Sequence, residues 1–195
     1  MSSDCKKSKH PKADNLNFGV YLESKSERPC RPVELIKNGG FEIQGTFSEY
    51  ANWEETLDKV ETLRIDVPYE GLQAAQLESV PTENPEVKRG SISQKVIVPP
   101  GCHLMLSFAE ELWEAGENFA HLFVRARVFY DSTDLINIEI NRRSFQARTG
   151  YAFHQKISDD PVPQNVSSVT VQFEVEIVDT EDTSLLLDGV SLRAI

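Results

Sequence analysis

From Glu34 onward the apolar residues of this chain recur at every second position, a period that suits strands and almost excludes helices. Val169, Val171, Phe173, Val175 and Ile177 give the cleanest run. Leu122, Val124, Ala126, Val128 and Tyr130 give another, and Ile136, Ile138 and Ile140 a third. Ile92, Gln94, Val96 and Val98 lead into Pro99-Pro100-Gly101, with Leu104, Leu106 and Phe108 beyond the turn as a hairpin partner. Leu63, Ile65 and Val67 alternate before Pro68, Leu72 to Leu77 follow Gly71, and Leu185, Leu187, Val190 and Leu192 end the chain. Tyr151, Phe153, Gln155 and Ile157 form a weaker run. Side chains along a strand point alternately to two faces, so each run buries one face. Eight or more short strands separated by Pro, Gly, Asp and Ser clusters predict an all-β, antiparallel sandwich. Two stretches, Trp53 to Leu57 and Glu110 to Gly116, read as helical turns.

The first 33 residues differ from the rest. Residues 1–14 are polar and lysine-rich, and a lone alternating strand follows over about 15–23, with Leu16, Phe18, Val20 and Leu22 on one face. A turn-rich linker, Ser24 to Pro32, separates it from the body. An isolated strand needs a sheet edge. It either folds back onto its own body or is donated to a neighbour. The chain therefore divides into an arm and linker over 1–33 and one domain over 34–195.

Charge follows the same division. The chain carries a net charge of −11. Residues 1–34 hold seven basic and five acidic side chains, and the remainder holds 13 and 26. So acidic a body excludes nucleic acid and anionic membrane as partners of the whole chain. No apolar run reaches the roughly 18–20 residues of a membrane span, and the first residues have no apolar stretch of the Sec type. The three cysteines, Cys5, Cys30 and Cys102, have no zinc-like spacing. They are reduced in a cytosolic setting, joined once within the chain, or used in bridges between subunits.

Catalytic chemistry is not legible. His10, His103, His121 and His154 are scattered, Cys102 and His103 point to opposite faces of a strand, and no nucleophile or phosphate motif appears. The chain reads as a non-enzyme. A sugar platform needs flat aromatics at the surface beside polar groups. Trp113 lies in a polar stretch and is the leading candidate, with Tyr130, Tyr151 and Tyr69 as companions and Arg125, Asn137, Glu139 and Asn141 as polar partners. Trp53 reads as core.

The order of motifs resembles the galactose-binding-like jelly rolls, which include several families of carbohydrate-binding modules. Asn38-Gly39-Gly40-Phe41-Glu42 matches their opening, and Trp53 follows at a suitable distance. Gly71 to Leu77, the block from Gly90 through Gln94, Val96 and Val98 to Gly101, the strand Leu104 to Phe108, and Asp188 to Leu192 come next in order. The resemblance spans about residues 35–195 and implies a jelly-roll sandwich behind an extended N-terminal arm. It also implies a structural calcium where the first and last strands meet, held by Glu42 and Asp188 with carbonyls near Asn38 and after Ala75. Similar domains occur without signal peptides in surface proteins of spore-forming bacteria. With the arm, this implies a homo-oligomer or polymer on a bacterial cell or spore surface. Assembly would use the strand of Leu16, Phe18, Val20 and Leu22, with disulfides of Cys5, Cys30 and Cys102 between subunits. The other reading is a non-catalytic carbohydrate-binding module with a glycan partner. Without assembly, the expected location is the cytoplasm.

Overall fold

The computed structural model describes residues 30–116, 118–143 and 150–195. Among them there are ten strands and no helix. One sheet contains β1 (Glu54–Asp58), β4 (Glu86–Ile97), β9 (Ser168–Asp179), β6 (His121–Tyr130) and β7 (Thr133–Arg142), in that spatial order. The second contains β2 (Val60–Ile65), β3 (Ala74–Ser79), β10 (Ser184–Ala194), β5 (Leu104–Glu114) and β8 (Ala152–Ile157). The pairings are antiparallel and the chain passes repeatedly between sheets, as a jelly roll requires.

The alternation predicts the core well. Val171, Phe173 and Val175 of β9 and Val124, Ala126 and Val128 of β6 face Leu104, Leu106 and Phe108 of β5 and Leu185 and Leu187 of β10 in one cluster. Aromatic rings link the layers. Phe173 lies edge-on to Phe108 at 5.0 Å, Trp53 lies 6.2 Å from Phe173, and Phe41 packs against both Trp53 and Tyr50.

Three expectations need correction. Trp53 to Leu57 is not a helical turn: Glu54 begins β1, which pairs with β4 from Glu54 opposite Ser93. Glu110 to Glu114 continues β5, because β10 supplies ladder partners along this stretch, while β8 pairs only as far as Glu110. The strands flanking Pro99-Pro100-Gly101 are not a hairpin either. β4 and β5 belong to opposite sheets, and the turn carries the chain across the sandwich, with Gly101 at φ 81°.

The ends of the domain meet as the bracketing motifs imply. Val190 donates its amide to the Gly39 carbonyl at 3.0 Å. A Cβ on Gly39 would stand 1.9 Å from the Val190 carbonyl oxygen, so this contact requires glycine. Cys30 is bonded to Cys102 within the chain. That pairing removes both residues from bridges between subunits and leaves Cys5, which lies outside the described residues together with Leu16, Phe18, Val20 and Leu22.

Candidate functional site

The site begins with a loop. Residues 66–73 connect β2 to β3 and rest on the outer face of the second sheet. Alternation places Phe108 of β5 inward, so Ala109 faces outward, and Asp188 and Phe153 stand opposite it on the two flanking strands. Asp188 Oδ2 accepts the amides of Tyr69 and Glu70 at 2.8 and 2.9 Å, and its Oδ1 accepts that of Gly189 at 2.7 Å. Beyond Gly71, Glu42 Oε1 accepts two more amides, from Leu72 at 2.7 Å and Gln73 at 3.3 Å. Tyr151 adds a third tie, donating its hydroxyl to the Val67 carbonyl at 2.7 Å.

Burial sets the electrostatics of this clamp. It pushes the Asp188 carboxyl above the usual range and outweighs the Glu70, Gly189 and Tyr69 amides, while the Glu70 charge adds to the rise. The Tyr151 hydroxyl is also pushed up, first by burial and then by Asp188 and Glu111.

The clamped loop presents Tyr69 to solvent. Its ring lies 5.6 Å from that of Tyr151 and 6.5 Å from that of Phe153, with the Tyr69 and Phe153 planes only 23° apart. Tyr69 is 48% exposed and Phe153 55%. Together they form an aromatic ledge beside Glu70, an exposed acid whose carboxylate has no hydrogen-bond partner among the described residues. Such a ledge can stack on an apolar ring face while a carboxylate accepts paired hydroxyl hydrogens.

Of the sequence candidates, Tyr151 belongs to this ledge and Tyr69 is its centre. Trp113 is half-buried on β5 and is not the exposed platform expected. Tyr130 packs against the core at the end of β6. Arg125, Asn137, Glu139 and Asn141 lie on the other sheet, where Arg125 pairs with Glu139 and Glu174 and Asn137 donates to Glu139. Sequence reasoning missed Phe153 and Glu70 as members. The shared parity of Tyr151 and Phe153 was a signal for the first, and the second had none. A separate exposed ring, Phe47, borders an open depression with Trp53, Glu54, Glu55 and Leu57.

The implied calcium fails on its donors. Glu42 and Asp188 do converge, since a Cβ on Gly40 would lie 3.9 and 3.8 Å from their oxygens. Those oxygens, however, already accept amide hydrogens. Asn38 donates its side-chain amide to the Ile43 and Ala51 carbonyls and accepts the Ile43 amide, while its carbonyl accepts the Trp53 indole. Calcium needs roughly six to eight oxygen ligands. Here both Asp188 oxygens and Glu42 Oε1 are taken by amides, and no cluster of three or more His, Cys, Asp or Glu side chains suits a metal among the described residues.

The described histidines and cysteines do not come together in one place either. Cys102 is spent in the disulfide, and His103 faces the Ser158 carbonyl at 2.9 Å. His121 lies beside Glu176, whereas His154 stacks on Phe108 and reaches buried Glu110 at 3.2 Å. Each histidine sits against different neighbours, so the described ones form no joint site.

No model of a known protein family matches the chain, and no curated protein sequence matches it. Solved structures do. A family 61 carbohydrate-binding module, TmCBM61, in complex with β-1,4-galactotriose, superposes with a TM-score of 0.58 at 16% identity over 84% of this chain and 99% of that one. The fold is the jelly roll of the carbohydrate-binding modules. The CBM22-1 xylan-binding domain of Paenibacillus barcinonensis Xyn10C matches at a TM-score of 0.50 and 16% identity, over 85% of this chain and 97% of that one. The Stig cyclase Fisc from Fischerella sp. TAU matches at 0.55 and 12%, over 85% and 98%. Binding modules and cyclases share this architecture, so function must be argued from the site. No helix of the described residues is long and apolar enough to cross a membrane.

Proposed function

We propose that the chain is a non-catalytic glycan-binding module and that its ledge stacks against a neutral sugar. The exposed, nearly parallel rings of Tyr69 and Phe153 carry this reading. Glu70 beside them supplies acceptors for two adjacent hydroxyls, and the acidic surroundings disfavour uronates and sulfated chains. The binding modules of the same fold lend support. The test is binding to a panel of neutral and anionic oligosaccharides, with Tyr69→Ala and Phe153→Ala as controls. Binding of a neutral oligosaccharide that either substitution weakens tenfold or more supports the ledge, and equal binding by all three proteins refutes it.

A second reading, assembly at a bacterial cell or spore surface, has one observation in its favour. β8 is an edge strand with no further strand beside it among the described residues, and it exposes Phe153 and Ile157. The arm joins the domain at Cys30, tied to Cys102 at the foot of β5, and Leu104 there bonds to Ser158 just past β8. Residues 16–22 alternate as β8 does and are one residue longer, and the arm opposes the body in charge. Strand addition from a second copy suits this edge. Deleting residues 1–29, which leaves the disulfide intact, abolishes higher-order species on this reading. A truncated chain that still polymerises removes it.

A further inference from the structure

Lys88 of β4 and Asp179 of β9 form an ion pair unlike the others. Both side chains are 0% exposed, and Nζ lies 2.7 Å from Oδ1. Other pairs keep at least one partner in part at the surface, Glu110 with Arg142 among them. The two residues lie on neighbouring strands, with Lys88 opposite Ile177 and Asp179 opposite Glu86.

The hydrogen-bond inventory there does not suit an ammonium. A lysine ammonium carries three donor hydrogens. Among the described residues Nζ meets one acceptor, Asp179 Oδ1. The other carboxylate oxygen, Oδ2, lies 2.8 Å from the Ser79 hydroxyl. That hydroxyl also stands 2.9 Å from the Glu181 carbonyl and accepts the Thr183 amide. An amide between Nζ and the Asp179 carboxyl carbon carries one donor and one carbonyl, and Ser79 already points at that carbonyl oxygen. It also carries no charge, whereas two charges held out of water oppose folding unless they are fully satisfied.

We propose that Lys88 and Asp179 condense into an intramolecular isopeptide bond. A proton moves from Nζ to Oδ1 along their hydrogen bond, which frees the nitrogen lone pair. The nitrogen attacks the carboxyl carbon, and the Ser79 hydroxyl stabilises the charge that develops on Oδ2. A second proton passes from nitrogen to Oδ1, the bond from carbon to Oδ1 breaks, and Oδ1 departs as water. One ammonium and one carboxylate become one amide and one water, with no oxidant or co-substrate. The product ties β4 to β9, two neighbouring strands in the interior of their sheet.

The test is the intact mass of the full chain after reduction, measured beside Lys88→Arg, which lacks the amine nucleophile. The expected result is a wild-type species lighter than its sequence mass by one water and absent from the variant. This readout survives even if Lys88→Arg fails to fold. Dehydration at Asp188-Gly189 to a succinimide gives the same loss, but it appears in both proteins. A tryptic digest of denatured wild type yields a branched peptide joining the Lys88 and Asp179 segments, with no cleavage after Lys88. Wild type at its full sequence mass, or water loss shared by both proteins, overturns the proposal.

Discussion

Glu42 and Asp188, from opposite ends of the domain, bind amides of one loop on either side of Gly71: Asp188 takes those of Tyr69 and Glu70, and Glu42 those of Leu72 and Gln73. The motifs that bracket the fold therefore position the aromatic ledge. Removing the fully buried Asp188 strands three amides in part-buried bonds, whereas the amides on Glu42 are exposed and can turn to water. Asp188→Ala is expected to cost about 2–4 kcal/mol and Glu42→Ala about 1 kcal/mol. Denaturant unfolding measures both, and limited proteolysis should cut Asp188→Ala within residues 66–73. Equal, small losses would contradict the clamp.

Because amides already occupy both Asp188 oxygens and Glu42 Oε1, the seam is expected to hold without a metal. Neither added calcium nor a chelator shifts the melting temperature of the purified domain. A rise with calcium, lost in Asp188→Ala, would show that the loop amides give way to a cation.

Glu78 makes a pH prediction. Burial raises its carboxyl pKa, with further contributions from Asp182, Glu114 and Glu61, and Glu61 stands directly opposite it on β2. A carboxyl raised in the folded state binds more protons folded than unfolded. Stability attributable to Glu78 therefore falls as pH rises from about 4.3, the ordinary glutamate value, through the raised one. Glu78→Gln is expected to stabilise at neutral pH by about 0.2–1 kcal/mol, with the gain vanishing below the ordinary value. Melting curves from acid to neutral pH measure it, and a gain independent of pH would contradict the assignment.

The disulfide closes a long loop, with Cys30 and Cys102 separated by 72 positions. Reduction or Cys30→Ser is expected to lower stability by about 2–5 kcal/mol, largely by freeing the unfolded chain. Calorimetry with and without reductant measures the loss, and an unchanged melting temperature in reductant would show that the bond does not form in solution.

The strands were legible because burial on one face imposes a period of two, which β9 shows throughout and β6 as far as Val128. Glu110 to Glu114 misled because acids interrupt an inward row. Glu110 occupies a core-facing position of β5, where its Oε1 meets Arg142 and His154 from elements distant in sequence while its Oε2 has no hydrogen-bond partner among the described residues. The meeting of Glu42 with Asp188 was legible from the motifs, but their partners were not. Backbone amides of a loop carry no side-chain signature, so a pair of acids reads equally as a metal site. Tyr151 was identifiable as an outward aromatic. Tyr69 joined Tyr151 and Phe153 only through the fold of the 66–73 loop over β10 and β5.

The most direct test of the ledge is calorimetric titration of the purified domain with the neutral oligosaccharide that binds best in the panel, beside the Tyr69→Ala/Phe153→Ala double variant. The account predicts saturable binding by wild type, with none detectable for a double variant that still unfolds cooperatively. Undiminished affinity in that folded variant, or no neutral sugar bound by wild type, would contradict it.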